Sequence, residues 1–428
     1  MRRPRRPGAI RRAPEQPGAH VAVPADEAPA RHTNAYPITS ITSETLALPS
    51  TNPPDRRLRV AFLITQSEIG GAQAHVLDLL RALRGRVAAT LLAGGDGPLL
   101  ERARAAGATV VRLPLLDNAL SPLRAAAALR QLLRALREAR PDLVHAHSAK
   151  AGALGRVAAR LLGLPVVYTV HGFAFKPAAP TRQRLAARAS ECVLAPLTTR
   201  MICVAEAERE LSRGLPVAQD KVSVIRNGIG DTALQADTSR PLRRIVMVAR
   251  FAAPKRPDLA MRAFARAALP DCELVIAGEG PRLEAMRTLA AGLAPARIRL
   301  PGAEQDVPAL LASAQAFVLA SDHEGFPLSV LEAMRAGLPV VATDLPGIRE
   351  QLDGGRCGLL VPADDEEALA QALRRLADDA ERMRLGQTGQ ARWRSHFGLD
   401  AMADATWAVY QQAVGSGAAA LRRAGSTR

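Results

Sequence analysis

Residues 316–344 read AFVLASDHEGFPLSVLEAMRAGLPVVATD. An apolar run of strand length is followed by a turn that contains Gly325 and Pro327, then by a helical segment and a second apolar run. Pro327 suits the first turn of a helix, where a missing backbone N–H leaves no hydrogen bond unmade. This order of strand, turn, helix and strand predicts a βαβ unit with two parallel strands in one sheet.

The same alternation extends over most of the chain. Short apolar runs, typical of buried parallel strands, precede a polar segment at residues 229–244. They are LRVAFLI (58–64), VAATLLA (87–93), LVHAH (143–147), PVVYTVHG (165–172), RMICV (200–204) and KVSVIRNG (221–228). A second series follows that segment: RIVMVAR (244–250), CELVIAG (272–278), RIRLPG (297–302), AFVLAS (316–321) and PVVATD (339–344). Helical segments separate the runs, so we predict an α/β fold with two Rossmann-like βαβ domains in tandem.

These patterns also place the domain boundaries. We assign the N-terminal domain to residues 57–236 and the C-terminal domain to residues 243–396, followed by a helix at 397–414 and a flexible tail at 415–428. Residues 1–56 are rich in Pro, Arg, Ala and Thr and lack helical or strand periodicity, which predicts a disordered basic extension. This extension is interpreted either as a segment without function, as a tether to a membrane surface, or as the product of a misassigned start codon.

The composition limits the classes of protein to consider. With 48% hydrophobic and 23% charged residues in 428, the chain is typical of a globular protein. No apolar run approaches the roughly 18 residues of a membrane span. No apolar segment follows the basic N-terminus, so a secretory signal is not expected either. The formal net charge of +16 would attract phosphates, anionic lipids or nucleic acid.

The sequence predicts no metal site. Its four cysteines are dispersed, without a CxxC pair or a Cys/His zinc spacing, which fits reduced thiols in the cytoplasm. His145, His147 and His171 lie at two predicted strand ends, but the third type of ligand and the fixed geometry that zinc needs are not evident. No DxD-type carboxylate pair follows a strand, which disfavours a metal-bound diphosphate.

The two glutamates of the opening stretch lie where a ligand is expected. In parallel sheets, ligands bind beyond the carboxyl ends of the strands. Glu324 lies in the turn after a strand, and Glu332 lies in the next helix, whose N-terminus near Leu328 and Ser329 favours anions. A carboxylate at such a site can accept hydrogen bonds from vicinal hydroxyls of a ribose or a sugar ring. The alternative is a solvated Glu332 and a local cap at Glu324.

Further candidates occupy other strand ends. Arg250 and Lys255 share a strand-to-helix loop, where two cations can clamp a diphosphate; otherwise they are solvated surface charges. Gly70 and Gly71 lie in the first strand-to-helix turn, where backbone could approach a ligand closely, although a tight turn alone would explain them. His171 is expected to contact substrate rather than to be purely structural. For His147 the two roles are equally supported.

Together these residues resemble the retaining nucleotide-sugar glycosyltransferases of family 4, over about residues 58–414. The most specific part is EGFPLSVLE with the following AMRAGLPVVATDLPGIRE. In addition, HSAKAGALGRVAARLLGLPVVYTVHGFAF is similar to the acceptor-side domain of bacterial members that assemble polysaccharides. The resemblance implies the GT-B architecture: two facing Rossmann-like domains, a cleft between them, and a crossover helix at 397–414 that packs on the N-terminal domain.

The resemblance also implies roles for the donor-side residues. Arg250 and Lys255 would bind the donor diphosphate, Glu332 the ribose hydroxyls, and Glu324 the hydroxyls of the transferred sugar. Backbone at four consecutive positions would meet the phosphates and the sugar; these are Gly325, Phe326, Pro327 and Leu328. Residues 302–307 would lie near the base.

On the other side of the cleft, Gly70 and Gly71 would bring N-terminal-domain backbone to the diphosphate, and His171 would face the donor sugar. His147 and Lys150 would lie on the acceptor side. The N-terminal loop departs from the family pattern at Gln73, where many members have Glu, and this weakens any role for that side chain.

The implied activity is transfer of a sugar, with retention, from a nucleotide diphosphate sugar to a hydroxyl of a glycan or lipid-linked acceptor, in cell-surface polysaccharide synthesis. No cofactor or metal is expected. The expected location is the cytoplasm, with peripheral binding to anionic lipid at the inner face of the plasma membrane. Two alternatives are a GT-B-fold sugar-nucleotide epimerase and a basic nucleic-acid-binding protein. The second lacks any recognisable nucleic-acid-binding module and has only 3% aromatic residues, so no nucleic-acid partner is expected.

Overall fold

The computed structural model describes residues 57–119, 121–176, 181–294 and 297–425, with side chains described as far as residue 416. The predicted extension at residues 1–56 therefore lies outside the described residues. None of the helices in these ranges is long and apolar enough to cross a membrane.

The N-terminal domain is a parallel sheet covered by helices. Its elements are β1 (Leu58–Ile64), α1 (Gly71–Ala82), β2 (Val87–Ala93), α2 (Leu99–Ala105), β3 (Thr109–Arg112), α3 (Pro122–Ala139), β4 (Leu143–His147), α4 (Ala149–Leu162), β5 (Val166–Val170), α5 (Thr181–Leu194), β6 (Arg200–Cys203), α6 (Glu206–Ser212) and β7 (Val222–Val224). The strand order is β3-β2-β1-β4-β5-β6-β7. Strands β2 and β3 lie on one side of β1, and β4 to β7 lie on the other. At this switch point between β1 and β4, a crevice opens at the carboxyl ends of the strands.

The C-terminal domain repeats this arrangement with six strands among its described residues. Its elements are β8 (Arg244–Val248), α7 (Pro257–Ala267), β9 (Glu273–Ala277), α8 (Leu283–Leu293), β10 (Ile298–Gly302), α9 (Val307–Ala312), β11 (Ala316–Leu319), α10 (Leu328–Arg335), β12 (Val340–Thr343), α11 (Pro346–Gln351), β13 (Leu359–Val361), α12 (Glu366–Arg375) and α13 (Asp379–His396). The strand order is β10-β9-β8-β11-β12-β13, so the switch point lies between β8 and β11.

The last helix, α14 (Leu399–Gly425), belongs to the core of the N-terminal domain although it follows the C-terminal domain in sequence. Met402, Val409 and Tyr410 are buried in one hydrophobic cluster with Val60 and Phe62 of β1. The predicted crossover helix is therefore present. It continues beyond residue 414, into the segment predicted as a flexible tail, because the alanine-rich GAAALRRAG has a high helix propensity.

The two sheets agree with the predicted fold class, and the differences concern short edge strands. β3 and β13 were not predicted from sequence. They have four and three residues, and each lies at the edge of its sheet. Edge strands this short produce too few apolar positions for a clear periodic signal.

Candidate active site

The two domains meet at a glycine. Gly325 follows β11 of the C-terminal domain and lies against the loop that follows β5 of the N-terminal domain. A Cβ added to Gly325 would lie 1.9 Å from the carbonyl oxygen of His171 and 3.5 Å from the backbone nitrogen of Gly172. Only a residue without a side chain permits this approach, so Gly325 allows the carboxyl ends of β5 and β11 to face one another directly.

Three side chains hold the carbonyl groups of the 324–327 loop. Lys176 Nζ donates to the carbonyl of Glu324 at 2.8 Å, and Asn227 Nδ2 donates to that of Phe326 at 2.7 Å. Gln351 Nε2 of α11 donates to the carbonyl of Pro327 at 2.9 Å. Lys176 and Asn227 come from the N-terminal domain, so both domains fix the shape of this loop.

These hydrogen bonds determine where the loop's N–H groups point. In a trans peptide the N–H points away from the carbonyl of the preceding residue. Because the carbonyls of Glu324 and Pro327 are held by protein donors, the N–H groups of Gly325 and Leu328 face the opposite side. Leu328 is the first residue of α10, and a helix N-terminus adds a positive potential for an anion.

Lys255 and Glu324 form an ion pair beside this loop. Lys255 Nζ lies 2.5 Å from Glu324 Oε1, and the two side chains are only 18% and 11% exposed. An antiparallel bridge between Lys255 and Ser321 joins the backbones of the two loops. Arg250 lies after β8 and is exposed, and the described residues offer its guanidinium no ion-pair partner. The structure thus pairs one predicted cation, Lys255, with the first glutamate, and Arg250 lies on the same β8–α7 loop as Lys255.

Glu332 lies on α10, half-buried and directed towards α1 of the opposite domain. Burial raises the pKa of its carboxyl group, the nearby Asp78 of α1 raises it further, and Arg335 opposes both. Burial also raises the pKa of Asp78 to about 6. No hydrogen-bond donor among the described residues contacts the Glu332 carboxylate, which leaves it available to accept from a ligand hydroxyl.

The remaining donor-side candidates, Phe326, Gly70 and Gly71, do not offer a polar side chain to a ligand. Phe326 is buried and packs edge-on against Phe397, with ring centroids 5.4 Å apart, so its side chain is structural. Gly71 begins α1, and a Cβ there would meet nothing within 4 Å. Gly70 is the N-cap of that helix, in an extended conformation. Gln73 donates to the carbonyl of Gln66 and so stabilises the β1–α1 loop itself.

Two predicted acceptor-side residues do not present free side chains to the cleft. His147 is fully buried and stacks on Phe62, because β4 places it beneath α1. Lys150 bonds to the carbonyl of Ala119 at 2.7 Å and pairs with Asp117, so it anchors the loop after β3. In this structure the core covers the His147 side chain and Asp117 neutralises Lys150 locally, so acceptor contact by these residues stays a prediction.

Histidine pairing connects the cleft to the interior. His171 is half-buried at the cleft, and its Nε2 lies 3.2 Å from His147 Nδ1. His145 is bonded to the hydroxyls of Tyr410 on α14, at 2.6 Å, and of Thr169, at 2.7 Å. His145 is therefore a core residue, and it links the crossover helix to the sheet.

Sequence analysis missed four residues near this site: His75, Lys176, Asn227 and Gln351. His75 lies on the buried face of α1, four residues after Gly71, beside His147 and His171. The position of α1 at the β1/β4 switch point could have indicated it. Lys176, Asn227 and Gln351 bond to backbone distant in sequence, and no local pattern indicates such contacts.

Models of glycosyltransferase families match both domains of the chain. The model of Glycosyltransferase Family 4 matches residues 69–232, and that of Glycosyl transferases group 1 matches residues 242–379. The chain is 32% identical over 294 residues to UDP-Gal:alpha-D-GlcNAc-diphosphoundecaprenol alpha-1,3-galactosyltransferase of Escherichia coli, covering 62% of this chain and 74% of the relative. It is 28% identical to phosphatidyl-myo-inositol mannosyltransferase of Mycolicibacterium smegmatis, covering 81% and 92%.

Solved structures share the fold. Anabaena Alr3699/HepE in complex with UDP-glucose superposes with a TM-score of 0.72 at 19% identity, covering 83% of this chain and 100% of the other. Sucrose-phosphate synthase of Thermosynechococcus elongatus gives 0.70 at 20% identity, covering 84% and 100%. The comparisons do not support the epimerase alternative. The chain has the GT-B fold and belongs to glycosyltransferase family 4.

Proposed function

We propose that this glycosyltransferase moves a sugar from a uridine diphosphate sugar to a hydroxyl of a lipid-linked glycan, with retention at the anomeric carbon. The observation that carries the proposal is the arrangement at the β8/β11 switch point. Lys255 contacts Glu324 in the loop before α10, Arg250 shares the β8–α7 loop with Lys255, and Glu332 follows on α10. This arrangement suits a diphosphate and a pair of hydroxyls at once.

The identity of the base is supported by the relatives. The name of the Escherichia coli relative includes UDP-Gal, and the Anabaena structure contains UDP-glucose. In our proposal uridine lies beside residues 303–306, which are exposed after β10. The ribose then reaches Glu332, and the diphosphate reaches Arg250 and the α10 N-terminus.

The proposed chemistry needs no metal ion. The bond between the anomeric carbon and the diphosphate oxygen breaks, and the acceptor oxygen bonds to the same face of the sugar. The acceptor proton passes to the departing phosphate. Lys255, Arg250 and the α10 N-terminus supply the positive potential that stabilises this leaving group, and Glu324 accepts from hydroxyls of the sugar.

A thermal-shift experiment tests the donor site. We expect UDP to raise the melting temperature by a few degrees, because a ligand at a concentration of 100 times its Kd stabilises the folded protein by about 2.7 kcal/mol. GDP and ADP should raise it less, since the proposed site binds uridine. Glu332→Ala should abolish most of the UDP shift, since the ribose loses its acceptor. Glu284→Ala, at a glutamate on α8 that is 81% exposed, is the matched control. An undiminished UDP shift in Glu332→Ala would refute this role.

Two features support our proposal that the acceptor lies at a membrane surface. The Escherichia coli relative is named for a diphosphoundecaprenol-linked acceptor. On α3 of the N-terminal domain, Arg130, Arg134 and Arg137 are exposed at helical spacing, and Leu123 at the start of the same helix is 84% exposed. Arginines beside an exposed leucine suit the headgroup region of anionic lipid.

Vesicle binding tests this surface. In the full chain, changing Arg130, Arg134 and Arg137 together to Gln should weaken binding to phosphatidylglycerol-containing vesicles by about 10- to 100-fold at low salt. Each basic residue near such a surface is worth about 1 kcal/mol. The control replaces Arg299, Arg356 and Arg394 of the C-terminal domain in the same way. Equal losses in both triple variants would mean that total charge, and not the α3 face, determines binding.

A further inference from the structure

Three imidazoles from three separate elements meet at the N-terminal-domain wall of the cleft. They belong to His75 of α1, His147 at the end of β4, and His171 after β5, and one ring nitrogen of each lies within 4.8 Å of the others. We propose that these histidines form a site for one transition-metal ion of the Zn²⁺ type, and that an ion bound there inhibits sugar transfer by capturing His171. The inhibitory part rests on the proposed function and on the position that the family resemblance implies for His171, facing the donor sugar.

The spacing of the nitrogens is close to that of a metal site. In tetrahedral zinc sites with Zn–N distances of about 2.0–2.1 Å, neighbouring nitrogens are about 3.3 Å apart. His147 Nδ1 and His171 Nε2 are already 3.2 Å apart. The ring of His75 lies edge-on to that of His171, with centroids 4.8 Å apart. To complete the site, the His75 side chain would have to move closer to both other rings, from which its ring nitrogen is at most 4.8 Å away.

Hydrogen bonding within the protein does not satisfy these rings. His75 is 3% and His147 is 0% exposed, yet His75 Nδ1 and His147 Nε2 have no hydrogen-bond partner among the described residues. Unpaired polar atoms at such depth are unfavourable. A metal ion that coordinates His75 Nδ1 would give that atom a partner, and Asn227 lies beside the His75 ring.

The protonation state also suits a metal. Burial lowers the pKa of His75 to about 4, and burial together with the neighbouring histidines lowers the pKa of His147 and His171 well below the usual value. All three rings are therefore neutral at pH 7, and neutral imidazole is the form that coordinates zinc. His145 is excluded as a ligand because Tyr410 and Thr169 occupy both of its ring nitrogens.

The location explains the inhibition. His171 is the half-buried member of the cluster, so an ion would arrive from the cleft and retain a fourth position for water. Its backbone carbonyl also lies against Gly325. Coordination of the His171 ring would hold that side chain against the N-terminal domain, away from a sugar bound beside Glu324. The site is thus regulatory, whereas the diphosphate site lies on the opposite domain.

Cobalt binding is the direct test, because Co²⁺ in a tetrahedral site absorbs visible light. The full chain is stripped with a chelator and titrated with Co²⁺, then with Zn²⁺ as competitor. We expect one equivalent of Co²⁺ to bind, Zn²⁺ to displace it, and the signal to disappear in both His75→Gln and His171→Gln. His171 is half-buried, so its replacement should disturb packing less than replacement of the buried His75. Loss of the cobalt signal in both variants therefore indicates loss of the metal site and not unfolding. His396→Gln, at an exposed histidine on α13, should retain the signal.

Inhibition is measured separately, as release of UDP from UDP-galactose and from UDP-glucose. Zn²⁺ should inhibit the wild type, and His75→Gln should need at least about ten times more Zn²⁺ for half inhibition. Failure to bind one equivalent, or equal binding in His75→Gln, would overturn the site. Binding without inhibition would overturn the regulatory role alone. Because the cobalt signal does not depend on turnover, failure of the proposed donor chemistry would not be mistaken for failure of the metal site.

Discussion

Replacing Lys255 by methionine is expected to lower kcat for sugar transfer on the order of 10²–10³-fold. Donors that stabilise the charge formed in a transition state contribute effects of this size. Lys255 contacts Glu324 in the loop that precedes α10, and in the proposed function negative charge accumulates beside this loop as the diphosphate departs. Its contribution should grow from ground state to transition state, so kcat should fall more than KM rises.

Lys221→Met is the matched control. Lys221 precedes β7, at the end of the N-terminal sheet opposite to the cleft, and its replacement should leave kcat unchanged. Lys255→Met also removes the ion-pair partner of the largely buried Glu324 carboxylate, so the thermal unfolding of this variant must be followed in parallel. A Lys255→Met protein that turns over normally would exclude Lys255 from leaving-group stabilisation.

Gly325→Ala is expected to reduce kcat/KM on the order of 10²-fold, without loss of either domain's fold. The added Cβ would lie 1.9 Å from the carbonyl oxygen of His171, much closer than van der Waals contact permits. Because that oxygen is backbone, the two domains must separate by about an ångström or more, and a displacement of that size can cost about 10² in rate. Separation would also break the contacts of Lys176 and Asn227 with the 324–327 loop.

Donor binding distinguishes this mechanism from simple damage to the site. Arg250 and Glu332 both belong to the C-terminal domain, so UDP should still raise the melting temperature of Gly325→Ala. Gly292→Ala is the control: this glycine lies in α8 with nothing within 4 Å of an added Cβ. Full activity of Gly325→Ala, or complete loss of its UDP shift, would contradict the proposed role of interdomain contact.

The donor-side elements that could be predicted are those that a short, continuous stretch of sequence specifies. The apolar runs, the turn glycine and Pro327 specify β11, the 324–327 loop and the start of α10, and these lie close together in sequence. Arg250 and Glu324 could be related in advance because carboxyl ends of parallel strands meet at one edge. The ion pair of Lys255 with Glu324, in contrast, depends on the conformations of the β8–α7 and β11–α10 loops, which local sequence does not specify.

The surroundings of His147 and Lys150 depend on contacts between distant segments. His145 and His147 are two positions apart on β4, so their side chains lie on the same face of the sheet. Sequence alone does not show which elements cover that face. The cover is α1 together with Tyr410 of α14, which is 265 residues away from its partner His145. Likewise, Lys150 is positively charged near the cleft, but Asp117 and Ala119 engage it through a loop of irregular structure. Asn227 and Gln351 could not be identified because their partners are backbone groups, which no side-chain pattern reveals.

The position of α14 has a consequence for how the chain acquires its structure during synthesis. The C-terminal sheet is built from one continuous stretch, so it can close as soon as that stretch leaves the ribosome. The N-terminal sheet is synthesised first but lacks the helix that buries Phe62 and bonds His145. Its apolar groove stays open until α14 emerges, and its core is then completed around that helix. The domain made first is therefore the domain finished last, and a nascent chain that terminates early leaves that groove exposed to chaperones and to aggregation.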